Sequence, residues 1–201
     1  MFAMTQHLEM DRATEIQNVS FPDLVERHKK KLYYLSLDLT GNHHDAEDLS
    51  QEVFIKAHKG LQSFRGDSNE LTWLRRIAIN TYLNQKRKKS FSMLRFFKDA
   101  DDNASTESGL ALSSVVSDGP ATDSEADQVI LRSHIDRALE KLSPREKVAF
   151  VLRHIHDHSL KEIAENMAVA EGTVKSLVFR ATRKMQKELK GLKPEVLNHA
   201  G

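Results

Sequence analysis

Cysteine is absent from this 201-residue chain, which excludes disulfides, thiolate zinc sites and cysteine nucleophiles and fits a reducing compartment. Glycine and proline are scarce, at 8 and 4, and no alternating strand pattern persists beyond a few residues. No uninterrupted apolar run approaches the roughly 20 residues that a membrane span needs. The opening "MFAMTQHLEMDRATEIQ" is broken by charges and does not read as a signal peptide. An excess of charge is missing too: Lys and Arg number 30 against 29 Asp and Glu, a formal net charge of +1. Bulk electrostatics therefore names no partner, and a nucleic-acid argument must rest on where the charges sit. These absences predict a soluble, intracellular, cytoplasmic protein.

What is present is helical periodicity. The length suffices for one medium domain or two small ones. The apolar spacing predicts an all-α chain with helices over 21–40, 45–60, 70–89, 128–141, 144–157, 160–167 and 172–190. Between the third and fourth helices lies "KDADDNASTESGLALSSVVSDGPATDSEAD", rich in Ser, Asp, Ala and Gly with a single Lys. It cannot bury enough apolar surface to offset its ordering entropy. The expected organisation is an N-terminal extension (1–20), a first helical domain (21–97), a flexible acidic linker (98–127), a second helical domain (128–192) and a tail (193–201).

In the second domain, Leu160, Ile163, Ala164 and Met167 form one buried stripe, and Val174, Leu177, Val178, Ala181 and Met185 another. "AVAEG" breaks the pattern between them, with Gly172 suited to a tight turn. Two amphipathic helices about a tight turn make a helix-turn-helix, whose second helix enters the major groove. The face opposite its stripe carries Thr173, Lys175, Ser176, Phe179, Arg180 and Arg183. Such side chains neutralise phosphates, fork onto guanine, or pack on a thymine methyl. Upstream, Ser143 with Pro144 and Glu146 forms a helix-start signature. His154, His156 and His158 diverge on a helix and lack ligand spacing, so no metal is assigned to them.

In the first domain, Ala46, Leu49, Val53 and Ala57 face inward, and Asp45, Asp48, Gln51, Glu52 and Lys56 lie on the other side. Asn42 or Asp45 is the cap. This acidic ridge suits a basic protein partner, or is simply a wet face. Next, Arg75, Arg76, Lys86, Arg87, Lys88 and Lys89 are interleaved with Phe64, Trp73 and Tyr82. Cations along a groove with planar side chains between them are what unstacked single-stranded bases need. Trp73, Leu74, Ile77 and Ala78 equally suit a core.

"DAEDLSQEVFIKAHKGL", "FRGDSNELTWLRRIAINTYLNQKRKK" and "LSPREKVAFVLRHIHDHSLKEIAENMAVAEGTVKS" resemble bacterial RNA polymerase sigma factors, and within them the extracytoplasmic-function group that keeps only conserved regions 2 and 4. The likeness spans about residues 21–89 and 128–190. It implies that Asp45, Asp48, Gln51, Glu52, Phe54 and Lys56 dock on the clamp helices of the polymerase's largest subunit. It implies that the loop from Phe64 to Thr72, with Arg65, Asn69, Trp73, Arg76 and Asn80, captures flipped bases of the minus-ten element. Tyr82 to Lys89, including Lys86, Arg87 and Lys88, would then hold the adjoining duplex. Thr173, Lys175, Ser176, Phe179, Arg180 and Arg183 would read the minus-thirty-five element. The resemblance further implies no catalytic residue, cofactor or small-molecule substrate, a linker running toward the polymerase cleft, nucleoid association when active, and an inhibitory anti-sigma partner.

Two departures stand out. Leu177 and Thr182 occupy positions where the group usually has basic residues, and Phe91, Met93, Leu94, Phe96 and Phe97 are more apolar than a linker requires. One alternative is a response-regulator type of transcriptional regulator, since "LSPRE…KEIAE…EGTVK" resembles that output domain too. Another is a metal-dependent hydrolase, since His44, Asp48 and Glu52 share one helical face.

Overall fold

Asn42 sets the geometry of the N-terminal half. Its side chain accepts the Asp45 N–H at 2.8 Å and so caps a helix start. Just before it, Gly41 sits at φ 85°, ψ 2° and donates its N–H to the Leu37 carbonyl at 2.8 Å. That left-handed geometry strains any L-residue with a Cβ. This short link joins α1 (Phe21–Thr40) to α2 (His43–Gly60). The computed structural model describes residues 20–64, 69–99 and 123–190. Among these, the secondary structure consists of seven α-helices and one 3-10 turn (Leu61–Ser63).

Helices α1 and α2 pack through Leu32, Leu35 and Leu39 against Ala46, Leu49 and Val53, all buried. Ser50 donates to the Ala46 carbonyl at 2.7 Å and meets the Ser36 hydroxyl at 3.1 Å, so two small polar residues are satisfied inside the packed pair. The third helix, α3 (Glu70–Asp99), adds Leu74, Ala78, Ile79 and Tyr82 to the core. Each fully buried leucine contributes roughly 2 kcal/mol of apolar transfer energy. Glu70 in the first turn of α3 anchors it to α1, with His28 Nε2 at 2.9 Å and an Arg27 nitrogen at 3.1 Å. Helix α3 runs to Asp99, ten residues past the expected end at 89, so the apolar 91–97 stretch continues a helix.

The remaining helices are α4 (Asp123–Glu140), α5 (Pro144–His154), α6 (Leu160–Met167) and α7 (Glu171–Leu189). Two reciprocal caps set the register. Glu146 accepts the Ser143 N–H at 2.9 Å, and Glu162 accepts the Ser159 N–H at 2.8 Å. Val148, Val151, Leu152, Ile163, Val174 and Leu177 close the core, and Ala138, Leu139 and Leu142 pack on Ala181 and Met185.

Three expectations are corrected. Helix α5 stops at His154 rather than 157, because Asp157 takes φ 53°. The tight turn before α7 is made by Ala168 (φ 52°, ψ 49°), while Gly172 lies inside the first turn of α7. Residues 123–127, expected in the linker, are helical, as are Lys98 and Asp99. The rest of the linker, 100–122, and the two termini lie outside the described residues. The backbone separates into two units, Met1–Tyr82 and Leu83–Gly201, so their boundary falls within α3.

Candidate functional site

Three surfaces carry the residues singled out by sequence. The first is the outer side of α2. Its inward stripe (Ala46, Leu49, Val53, Ala57) leaves Asp48 and Gln51 exposed on the opposite side. Asp45 stays close to the cap, its carboxylate 3.1 Å from the Asn42 amide. Glu52 and Lys56 form an ion pair at 2.6 Å, and the Lys56 ammonium also donates to Thr81 Oγ1 of α3 at 3.0 Å. Lys56 therefore ties α2 to α3 as well as facing solvent. Phe54 is half-buried and turned away from the ridge.

Sequence reasoning missed Ile55. It is 56% exposed and lies three, four and seven residues after Glu52, Gln51 and Asp48. At about 100° per residue, that spacing puts it at the centre of the acidic ridge. The signal was available: an isolated apolar residue at helical spacing with three polar ones.

The second surface runs along the outer side of α3. Asn69, Trp73, Arg76, Asn80 and Arg87 recur at helical spacing, so they share one face. Asn69 caps α3 by accepting the Leu71 N–H at 2.9 Å, which makes Leu71 and Thr72 helical rather than loop. The Phe64 and Trp73 rings meet at 4.8 Å between centroids, tilted by 33°. Arg76 is half-buried, and its Nε is enclosed without a hydrogen-bond partner. Arg87 and Lys88 are exposed and Lys86 is half-buried. Arg65 lies outside the described residues.

Tyr82 is a correction. Nine residues after Trp73, it falls about 180° round the helix. It is 2% exposed, inside the core. Burial pushes its phenol up to about 12, and its ring cannot stack on a base.

The third surface is α7. Thr173, Lys175, Ser176, Phe179, Arg180 and Arg183 are all exposed on it. Lys175 pairs with Glu171 at 3.4 Å, and Ser176 donates to the Gly172 carbonyl at 3.0 Å. Phe179 is 62% exposed, with the Arg183 guanidinium 5.8 Å from its ring centroid. Arg180 Nε lies 3.5 Å from Glu146 Oε1, and Lys184 donates to Glu146 Oε2 at 2.6 Å. Burial alone would raise the Glu146 carboxyl. The hydrogen bonds from Lys184 and Ser143 outweigh it and hold the group below its ordinary value. Of the two positions that depart from the group's basic pattern, Leu177 is buried against the core, and Thr182 has its hydroxyl 3.5 Å from His154 Nε2.

Neither candidate metal group assembles into a site among the described residues. His44 Nε2 is 3.8 Å from Asp48, but Glu52 turns to Lys56. His158 is buried, whereas His154 packs on Phe150 at 4.6 Å between centroids. No described helix is long and apolar enough to cross a membrane.

Residues 24–91 match the Sigma-70 region 2 family model, and residues 132–185 match the Sigma-70 region 4 model. The chain is 34% identical over 173 residues to the ECF RNA polymerase sigma factor SigW of Bacillus subtilis, covering 86% of this chain and 90% of that relative. It is 34% identical over 193 residues to the ECF RNA polymerase sigma-E factor of Escherichia coli, covering 94% and 96%. Its structure resembles that of the sigma factor RpoE solved in complex with the anti-sigma factor NepR from Bartonella quintana. That likeness has a TM-score of 0.59 and 26% identity, and covers 86% of this chain and 98% of that one.

Proposed function

The chain belongs to the extracytoplasmic-function RNA polymerase sigma factors, and we propose that it divides promoter recognition among three surfaces of its own. As a sigma factor it directs RNA polymerase in transcription initiation. The response-regulator alternative gains no support, since region 2 and region 4 both match in one chain and in order.

In this reading the α2 ridge docks on the polymerase. Asp48, Gln51 and Glu52 supply the polar contacts, and Ile55 supplies the apolar anchor at their centre. Interfaces of this kind depend on a few desolvated residues within a polar rim. Phe54 and Lys56 support the ridge rather than form it. The α3 face then takes the opened strand. Phe64 and Trp73 offer ring faces at its N-terminal end, Arg76 and Asn80 follow one and two turns on, and Lys86, Arg87 and Lys88 track the adjoining phosphates. Each stacked base returns roughly 1–3 kcal/mol, set against the few kcal/mol lost on flipping it out. Helix α7 reads duplex DNA through the major groove. Phosphate contacts from both units add affinity that falls steeply with salt. Holding two weak readers on one polymerase makes the spacing between elements part of the specificity.

The observation that carries this reading is the sign of the exposed faces. An acidic ridge with an apolar centre lies on α2, a cationic face with the half-buried Phe64 and Trp73 rings at its N-terminal end lies on α3, and a cationic face with the exposed Phe179 lies on α7. A second protein partner of the anti-sigma type is supported by the relative solved with NepR. The test is transcription by core polymerase from a random promoter library, with and without the chain. The expected result is a new set of start sites sharing two spaced elements. Start sites unchanged by the chain would refute the proposal.

A further inference from the structure

Glu146 is a buried carboxylate that reaches the cationic face of α7. It is 5% exposed and stands at the third position of α5. Its two oxygens do different work. Oε2 accepts the Ser143 N–H at 2.9 Å and the Lys184 ammonium at 2.6 Å, which completes the helix cap and binds α7 to α5. Oε1 faces Arg180 Nε at 3.5 Å. The cap needs only the first of these oxygens, so the contact to Arg180 calls for a separate explanation.

We propose that Glu146 is a positioning residue for sequence reading, acting through Arg180. The proposal rests on α7 being the DNA-reading helix. An arginine on an open helix face samples many rotamers, and its planar fork reads guanine O6 and N7 only when both terminal nitrogens point into the groove. Glu146 engages the guanidinium through Nε, the nitrogen nearest the chain. The two terminal nitrogens are not spent on that contact, and the Arg180 side chain remains 58% exposed. The carboxylate thus draws the guanidinium toward its inner edge by charge, at 3.5 Å and without a hydrogen bond, and biases the direction of the fork from behind. It also offsets positive charge on Lys184 and Arg180, which lowers their attraction to phosphates of any sequence. Both effects raise the ratio of specific to non-specific binding. Glu171 applies the same charge logic to Lys175 at the other end of the face.

The test uses the full chain assembled with core polymerase. First, Arg180→Ala is scanned against a fully randomised upstream element, to locate the base pair whose preference it flattens. Glu146→Gln is then scanned in the same way. Its amide oxygen still accepts the Ser143 N–H, so the cap survives. The expected result is a loss of about tenfold in preference at that same base pair, with unrelated duplex bound more tightly and with a salt slope steeper by about one. In the Arg180→Ala background, Glu146→Gln should remove no further preference. A purely structural Glu146 would weaken every sequence alike, and that outcome overturns the proposal. If Arg180→Ala flattens no position, the DNA-reading assignment of α7 itself falls. If Arg180→Ala flattens one position and Glu146→Gln leaves it intact, only the positioning role falls. Should Glu146→Gln fail to fold, the side-chain order of Arg180 in the unaltered chain decides: a guanidinium more restricted than that of a free arginine supports the contact, and one as mobile as a free arginine's overturns it.

Discussion

The two helical units are built from similar stripes yet show opposite chemistry outside. On α2, the exposed side carries carboxylates, and the lysine beside them, Lys56, is itself exposed and shared between Glu52 and Thr81 of α3. On α7 the exposed side carries cations while the carboxylate beside them, Glu146, is buried. A counter-charge tied to a neighbouring helix sets what each face can offer, so near-neutral bulk charge conceals two surfaces suited to different partners. The internal chemistry differs as well. The N-terminal unit buries a phenol, whereas the C-terminal unit buries a charged carboxylate within a helix cap.

That contrast predicts opposite pH sensitivities. Burial raises Tyr82 from 10.0 to about 12. Because its folded value is raised, its contribution is complete below pH 10 and is lost as pH rises toward 12, amounting to about 2–3 kcal/mol. Glu146 runs the other way. Its folded value is lowered, so its contribution holds above the ordinary carboxyl range and is lost as pH falls below it. The sole tryptophan, Trp73, reports on the N-terminal unit alone. Denaturant melts followed by Trp73 fluorescence should lose midpoint above pH 10, and Tyr82→Phe should abolish that loss. An alkaline loss that persists in Tyr82→Phe would break the comparison.

A smaller effect sharpens it. Ser159→Ala removes the reciprocal cap of α6, whose hydroxyl accepts the Glu162 N–H at 3.2 Å. Such caps are worth about 1 kcal/mol. The far-UV circular dichroism transition of the C-terminal unit should move by that amount while the Trp73 transition stays fixed. A shift in both would mean that the two units unfold together.

The apolar stripes, the Ser143 cap and the helix-turn-helix were legible in the sequence because each depends on spacing within one helix. What was not legible depended on tertiary context. Gly172 looked like the turn residue on local propensity. Yet the turn fell to Ala168, held by burial of Met167 and the Val169 N–H bond to the Ala164 carbonyl at 3.0 Å. Tyr82 looked like part of an aromatic and basic interleaving, an impression that ignored which side of α3 faces the core. The Glu146–Arg180 contact joins residues 34 apart on different helices (180 less 146), and no single-helix pattern reveals it. The phase of each helix against its core, once known, corrects Tyr82 and brings out Ile55.

The central claim is that the α2 ridge engages the polymerase independently of the DNA-reading faces. The most direct measurement is co-purification of the full chain with core polymerase after Asp48→Lys combined with Ile55→Lys. Both residues are exposed, and among the described residues the ion pair of Asp48 is the 3.8 Å contact to His44, so the fold and the Trp73 melting transition should be unchanged. The account predicts that the double variant no longer binds core polymerase. Binding at undiminished stoichiometry would contradict it.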